Sequence, residues 1–478
     1  MLFNSWQFAI YFIVVTAAYF ALPYRARWVL LLAASCYFYM AFIPVYILIL
    51  LFTILIDYGA GILIENAQGE RRRFYLIGSI IANVGVLAIF KYFNFLNGNF
   101  AALASAIGWN YPVENLAMIL PIGLSFHTFQ SLSYTIEVYR GRHKAERHLG
   151  LFALYVMFYP QLVAGPIERP QNVLPQFHEQ HDFDYDRVTS GLKLMAWGLF
   201  KKVVIADRLA VVVNAVYGDP TSHTSFALIM ATYFFAYQIY CDFSGYSDIA
   251  LGAARVMGFR LMENFNQPYL SQSVSEFWRR WHISLSTWFR DYLYIPLGGN
   301  RVAKWRWYLN TMIVFMVSGL WHGASWNFVI WGALHGLYIV GAVLIGGLLS
   351  RTVSVPQSGP LAWTSRAFNT LLTFHLVAFA WIFFRAANLA DAWYIVTHLF
   401  SDLQLRSNLG LGLGIVPALI VVTCILFMEG VQYVHRNGWI NLAGQPGWAR
   451  WSFYYMIVAM IVLFGVMQSE AQFIYFQF

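Results

Sequence analysis

Residues Trp28 to Ile56 read WVLLLAASCYFYMAFIPVYILILLFTILI, without a single Asp, Glu, Lys or Arg. A helix needs about 20 apolar residues to cross the hydrocarbon core of a bilayer. Runs of suitable length recur at about Phe8–Leu22, Phe74–Phe93, Leu116–Val138, Leu149–Val163, Gly191–Val216 and Phe226–Cys241. Others follow at about Thr311–Ile330, Trp331–Leu349, Phe368–Phe384, Ile415–Gln432 and Trp451–Met467. The runs are continuous and lack the period-2 alternation of barrel strands, so they predict helices. One or two are short enough to be re-entrant. The expectation is an all-α polytopic membrane protein with about 11 transmembrane helices plus short re-entrant or interfacial ones.

Composition supports this class. Of 478 residues, 59% are hydrophobic and only 11% charged, and the mean hydropathy is +0.57. Soluble domains carry about 25% charged residues. A soluble fold of this size could not cover its surface with so few, so lipid must replace water over much of it. The net charge of +8 does not point to nucleic acid, because membrane proteins are routinely basic through their cytoplasmic loops. Arg25 and Arg27 follow the first run directly and no basic region precedes it. That order favours an uncleaved first helix with its N-terminus outside and the Arg25 loop in the cytoplasm. The basic loops at Arg71–Arg73 and Arg140–Arg147 agree in parity.

Cys36, Cys241 and Cys424 stand alone in apolar surroundings, with no Cys-x-x-Cys, so neither a disulfide framework nor a zinc knot is indicated. No internal repeat of the kind found in many secondary transporters is visible. Nor is there a polar stretch of domain size; the longest outside the centre, Gly165 to Arg187, is too short for a catalytic domain. A single membrane-embedded domain over 1–478 is expected.

One segment breaks the apolar pattern. Between Arg255 and Arg306 there are eight Arg or Lys against three acidic residues, interleaved with Trp278, Trp281, Trp288, Tyr292, Tyr294, Trp305 and Trp307. Apolar positions recur at helical spacing in Glu276–Trp288, which predicts a short amphipathic helix, either interfacial or forming a partly buried floor. Pro296 and Gly298-Gly299-Asn300 mark a loop after it.

Ionisable residues in membrane segments are costly and mark functional positions by default. His322 lies in Ser318-Gly319-Leu320-Trp321-His322-Gly323-Ala324-Ser325-Trp326, inside a run that otherwise reads as a span. Gly319 and Gly323, four apart, permit close helix approach. A structural histidine bonding across helices is the alternative. His335 sits in a similar Leu334-His335-Gly336 setting, so His-Gly by itself says little. His282 ends Phe277-Trp278-Arg279-Arg280-Trp281-His282 on the amphipathic segment. Asp242 and Asp248 flank Phe243-Ser244-Gly245-Tyr246-Ser247; they could pair with the central arginines or orient an imidazole, and buried charges usually need partners. His178-Glu179-Gln180-His181 misses the His-Glu-x-x-His zinc spacing by one residue, and no metal site is expected.

These stretches together resemble the membrane-bound O-acyltransferase family, in its bacterial branch that O-acetylates exported polysaccharides. The resemblance is carried by Asp242–Asp248, Met262-Glu263-Asn264-Phe265, Glu276–Trp288, Arg290–Asn300 and Gly319–Gly323. Leu120-Pro121-Ile122-Gly123-Leu124-Ser125-Phe126 and Ala164-Gly165-Pro166-Ile167 add to it. It is strongest over about 121–336, which marks the expected catalytic core.

The resemblance implies an acyltransferase with an essential histidine, matched by His322, and a second motif histidine, matched by His282. It implies a ring of tilted helices around a thin central floor, with funnels to both faces. It also implies a multi-pass protein of the bacterial inner membrane with no bound cofactor. Acetyl-CoA would be the cytoplasmic donor, and a periplasmic acetyltransferase or acetyl-acceptor protein would be a partner, alongside other polysaccharide synthesis or export subunits and the membrane lipids. Alginate or cellulose would be the polysaccharide. A neutral imidazole with a pKa near 6.5 is suited to take a hydroxyl proton, and is cheaper to bury than a carboxylate. Trp278, Arg279, Arg280, Arg290, Asp291, Asn300 and Asp242 are the candidate substrate-binding residues, the guanidinium groups suiting a donor's phosphates. The competing expectation is a transporter or export-complex subunit with no transfer chemistry.

Overall fold

Prolines and glycines divide the apolar runs. The opening stretch Trp28–Ile56 is not one helix: Tyr24–Met40 ends at Ala41, Ile43 is extended, and Pro44 opens the next helix. The residue before a proline is pushed out of the helical region, which accounts for the break. The computed structural model describes residues 1–478 except 118–119, 164, 350–358, 402–414, 440–443, 467–472 and 475–478; the side chains of 347–349 and 415–417 are also excluded. Ala164, named above for the resemblance, falls outside the described residues.

Every regular element among the described residues is helical. Among the described residues seven helices are long and apolar enough to cross a membrane: Pro44–Asn66, Glu70–Ala106, Ser225–Met257, Trp326–Gly346, Pro360–Arg385, Ala418–Arg436 and Gly447–Phe464. Others of the predicted runs form shorter or broken helices. Trp6–Ala21 is apolar but has 16 residues. Leu149–Val163 becomes Leu149–Met157 and Tyr159–Leu162, with Phe158 non-helical between them. The run Gly191–Val216 passes through a π turn at Phe200–Ala206.

The run Thr311–Ile330 also divides. Helix Lys304–His322 ends on His322, Gly323 is extended, and a new helix starts at Trp326. The expectation that His322 lies within a continuous span is corrected: it is the last helical residue before a tight reversal. Gly323 makes the reversal possible, since a Cβ there would lie 2.0 Å from the Phe328 ring.

The chain forms two compact units, one of Met1–Met195 with Ser247–Met262, the other of Ala196–Tyr246 with Glu263–Phe478. In the first, Ile47–Asn66 packs on Leu124–Tyr139, and Gly61 lets the Tyr134 ring approach to where a Cβ would sit 2.6 Å away. The span carries a buried carboxylate, Asp57, which accepts from Ser79 Oγ at 2.6 Å and Asn83 Nδ2 at 2.9 Å. Such a group is tolerated in a span only with polar partners, which these two supply. A cavity of about 250 Å³ in this unit is lined by Tyr19, Arg27, Trp28, His148, Phe177 and Phe259 among others. None of the residues nominated from sequence lines it.

The second unit holds a large apolar core in which Phe235, Trp281, Trp331 and Trp381 are essentially inaccessible to solvent. In it, helices Lys304–His322 and Trp326–Leu349 pack directly on one another. A Cβ on Gly319 would lie 2.2 Å from the Phe328 carbonyl oxygen, and one on Gly332 would lie 2.2 Å from that of Phe315. The backbones themselves are therefore in contact, as small residues permit in membrane helix pairs. Gly332→Val is expected to force them apart at a cost of about 1–3 kcal/mol. A lowered melting temperature of the detergent-solubilised protein checks this; an unchanged one contradicts the packing.

Candidate active site

The central segment is two helices rather than one. Val274–Arg280 begins at Ser273, whose Oγ accepts from Glu276 N at 3.1 Å, while Glu276 Oε2 accepts from Gln272 N at 2.9 Å. This resembles a capping box, in which a Ser and a Glu three residues later satisfy the free N–H groups of a helix start. The helix stops at Trp281, which is extended, and His282 takes the left-handed conformation at φ 44°. Ile283–Phe289 then starts afresh. The single amphipathic helix expected over Glu276–Trp288 is thus corrected to a kinked pair, its corner at His282.

Asn264 builds that corner. Its carbonyl accepts from Ile283 N at 3.0 Å, and its Oδ1 accepts from Ser284 N at 3.1 Å and Ser284 Oγ at 2.9 Å. Among the described residues only Gln267 and His282 are non-glycines with positive φ. Backbone held in a sparsely populated region persists where surrounding contacts over-determine it, and such residues cluster at functional sites.

His282 is fully buried and caps the second short helix, its Nδ1 accepting from Leu285 N at 3.2 Å. The neutral ring must then carry its proton on Nε2. Burial, only partly opposed by a backbone hydrogen bond, lowers its pKa to about 3. His282 lies outside the seven candidate spans. The unfolded chain, with a histidine pKa near 6.5, binds the proton more readily, so this group's contribution to stability is complete above about pH 6.5. It falls by about 1.4 kcal/mol per unit as pH drops towards 3. His282→Asn keeps a side-chain acceptor and tolerates left-handed backbone; His282→Ala loses the cap, worth about 1 kcal/mol. The Asn variant is expected to melt above the Ala variant, and both are expected to lose less stability than wild type between pH 7 and pH 5. Equal pH dependence in all three proteins contradicts the buried neutral ring.

His322 is buried within a ring of aromatic side chains. Its centroid lies 4.9 Å from Trp321, 4.9 Å from Trp331 and 5.4 Å from Phe384. Trp321 also lies 6.2 Å from the His282 ring, so one indole is neighbour to both motif histidines. Trp331 lies 5.7 Å from Trp278 and 5.0 Å from His335. Trp278 Nε1 donates to His335 Nδ1 at 3.3 Å. Trp278, His282 and His322 thus belong to one aromatic cluster, together with Trp321, Trp331 and His335.

The remaining nominated residues have other surroundings. Arg279, Arg290 and Asn300 are exposed. Arg290 Nε contacts Asp291 Oδ1 at 2.8 Å, so those two neutralise each other. Arg280 pairs with Glu276 one helical turn away. The loop is tied down by Asn310, whose Nδ2 donates to the carbonyls of Leu297 at 3.0 Å and Gly299 at 3.2 Å.

Asp242 pairs with Lys202 Nζ at 2.7 Å and accepts from Ile474 N at 2.8 Å. This corrects the expectation of a central arginine as its partner. The π turn at Phe200–Ala206 turns Lys202 inward, where it also meets Asp207 at 2.8 Å. Of the His-x-x-His pair, His178 Nε2 contacts Glu146 at 2.9 Å, whereas His181 Nε2 contacts the Gln176 carbonyl at 3.0 Å.

Sequence reasoning missed several buried polar groups. Lys202 is one of three lysines within the predicted run Gly191–Val216, and in-span charge is a usable signal. Glu168 follows Gly165-Pro166-Ile167 directly and accepts from Met262 N at 2.5 Å and Asn172 Nδ2 at 2.7 Å. Burial raises its pKa to about 7. His335 carries no distinguishing signal in its local motif, Leu334-His335-Gly336.

The pattern that defines the membrane-bound O-acyltransferase family matches residues 16–384, and this chain belongs to that family. It is a multi-pass membrane protein and an O-acyltransferase, which removes the reading of a transporter or subunit without transfer chemistry. It is 40% identical over 409 residues to the "Probable alginate O-acetylase" of Azotobacter vinelandii, covering 84% of this chain and 78% of that protein. It is 37% identical to the protein of the same description in Pseudomonas putida, over the full length of both. A "Peptidoglycan O-acetyltransferase" of Helicobacter pylori is 31% identical, with 100% of this chain and 98% of that protein covered.

Proposed function

We propose that this protein takes acetyl groups from a cytoplasmic donor, acetyl-CoA, and passes them across the bacterial inner membrane for O-acetylation of an exported polysaccharide. The observation that carries the proposal is His322, buried among aromatic rings at the end of a helix in a chain of an acyltransferase family. His322 acts as general base: its imidazole accepts the hydroxyl proton of the acceptor as the new C–O bond forms. Such catalysis contributes about 10²–10⁴-fold. His282, fixed at the strained corner, positions donor or acceptor. The exposed Arg279 and Arg290 are available for donor phosphates, at the cost for Arg290 of leaving Asp291.

The relatives' names favour alginate over cellulose as the polysaccharide, since two relatives at 37–40% identity are named for alginate. The Helicobacter relative makes peptidoglycan the second acceptor class. About 11 spans around a thin floor with a funnel to each face would let a cytoplasmic donor and a periplasmic acceptor approach one histidine. A periplasmic acetyltransferase or acetyl-acceptor protein completes the pathway, together with other synthesis and export subunits.

Purified protein incubated with acetyl-labelled acetyl-CoA and alginate oligomers, with and without the proteins that co-purify from native membranes, tests this. Label recovered as ester on the sugar or on a co-purified protein is the expected result. Donor left intact in every arm refutes the proposal.

A further inference from the structure

Trp331 and His335 are one helical turn apart on Trp326–Leu349, and both are completely buried. The His335 Nδ1 is occupied, since it accepts from Trp278 Nε1 at 3.3 Å. The neutral ring therefore carries its proton on Nε2. That Nε2–H and the Trp331 Nε1–H are both buried without a hydrogen-bond acceptor among the described residues. A buried donor left unsatisfied costs about 1–3 kcal/mol, and here two occur with ring centroids 5.0 Å apart. Trp331 also packs edge-to-face on His322 at 4.9 Å. The rings are held in place: Trp331 stacks on Trp381 at 5.7 Å, and His335 lies parallel to Phe277 at 6.3 Å.

We infer that Trp331 Nε1–H and His335 Nε2–H are the hydrogen-bond donors for the acyl carbonyl oxygen during transfer at His322. This rests on the proposed role of His322. The hydroxyl oxygen of the acceptor attacks the thioester carbonyl carbon, forming a C–O bond, while its proton passes to His322. The carbonyl π pair moves onto oxygen, where the two N–H groups receive the developing negative charge. When the C=O bond re-forms, the C–S bond breaks, and the leaving thiolate takes the proton back from the imidazolium. Thioester and alcohol become ester and thiol, with no other reactant. Preorganised N–H donors in a site without water are worth far more than in solution, and removing one from an oxyanion site costs about 10²–10³-fold in kcat.

Three variants separate this from a structural role. Trp331→Phe keeps a ring against His322 but removes the N–H. His335→Leu removes both ring nitrogens. His335→Gln keeps an acceptor for Trp278 and a donor. Each is assayed for kcat with acetyl-CoA and for binding of two inert donors: acetonyl-CoA, which has a carbonyl, and ethyl-CoA, which does not. The expected result is a loss of about 10²-fold in kcat for Trp331→Phe and His335→Leu, with partial recovery in His335→Gln. Acetonyl-CoA affinity falls up to about tenfold while ethyl-CoA affinity holds. Unchanged kcat in both donor-deleting variants overturns the inference, as does equal weakening of the two analogues. If wild type transfers acetyl, His322→Ala does not, and these variants match wild type, this inference alone fails. If wild type does not transfer, or His322→Ala still does, the underlying reading fails.

Discussion

His322→Ala is expected to lower acyl transfer by about 10²–10⁴-fold while the protein stays folded and in the membrane. The size follows from the role: without an acceptor for the hydroxyl proton, attack on the thioester must proceed through an unstable oxonium or an already ionised alcohol. Truncation also removes a ring that packs on Trp321, Trp331 and Phe384, and a cavity of that kind costs up to a few kcal/mol. His322→Gln fills more of the space and remains polar, but cannot serve as a base near neutral pH. Both variants are therefore expected to lose transfer, and the Gln variant to melt closer to wild type. Loss of activity that merely tracks loss of stability across the pair would reduce His322 to a packing residue.

Lys202→Met is expected to remove most folded protein from the membrane. Lys202 lies between Asp207 at 2.8 Å and Asp242 at 2.7 Å, and all three side chains are almost wholly out of contact with solvent. Deleting one partner of a buried pair costs about 3–5 kcal/mol, because the remaining charge is left uncompensated. Here two carboxylates would be left. Total stabilities of about 5–15 kcal/mol leave little margin for such a loss. Asp242→Asn added to Lys202→Met removes one of the stranded charges, so the double variant should recover part of the lost yield and melting temperature. Yield of monodisperse detergent-solubilised protein and its melting curve measure both effects. A single variant as stable as wild type would contradict a buried ion triad.

The helical membrane class was legible because hydropathy averages over long windows, and Trp28–Ile56 or Phe368–Phe384 leave little other choice. The breaks were less legible. Pro44 could have been read as dividing Trp28–Ile56, since proline acts locally on the residue before it. The corner at His282 could not, because it is set by Asn264, eighteen residues upstream, through hydrogen bonds to Ile283 and Ser284. The reversal at Gly323 was hidden for a similar reason. Gly319 and Gly323 read as a close-packing motif, and Gly319 does make such a contact, but its counterpart Gly332 lies on the next helix. At the site, the two histidines and Trp278 stood out through their motif. Trp331 and His335 did not, since an indole or imidazole in an apolar run gains its meaning from neighbours that only the fold supplies. Asp242 was rightly expected to need a charged partner; the separation of forty positions from Lys202 concealed which one.

Whether His322 performs acyl transfer is decided by single-turnover chemistry. Purified wild type and His322→Gln of matched thermal stability are mixed with acetyl-labelled acetyl-CoA and alginate oligomers, together with the co-purifying proteins. Ester formed and CoA released are followed in each. Equal amounts of labelled ester and free CoA are expected from wild type, and neither above background from the variant. Ester formation by His322→Gln at the wild-type rate would contradict that expectation.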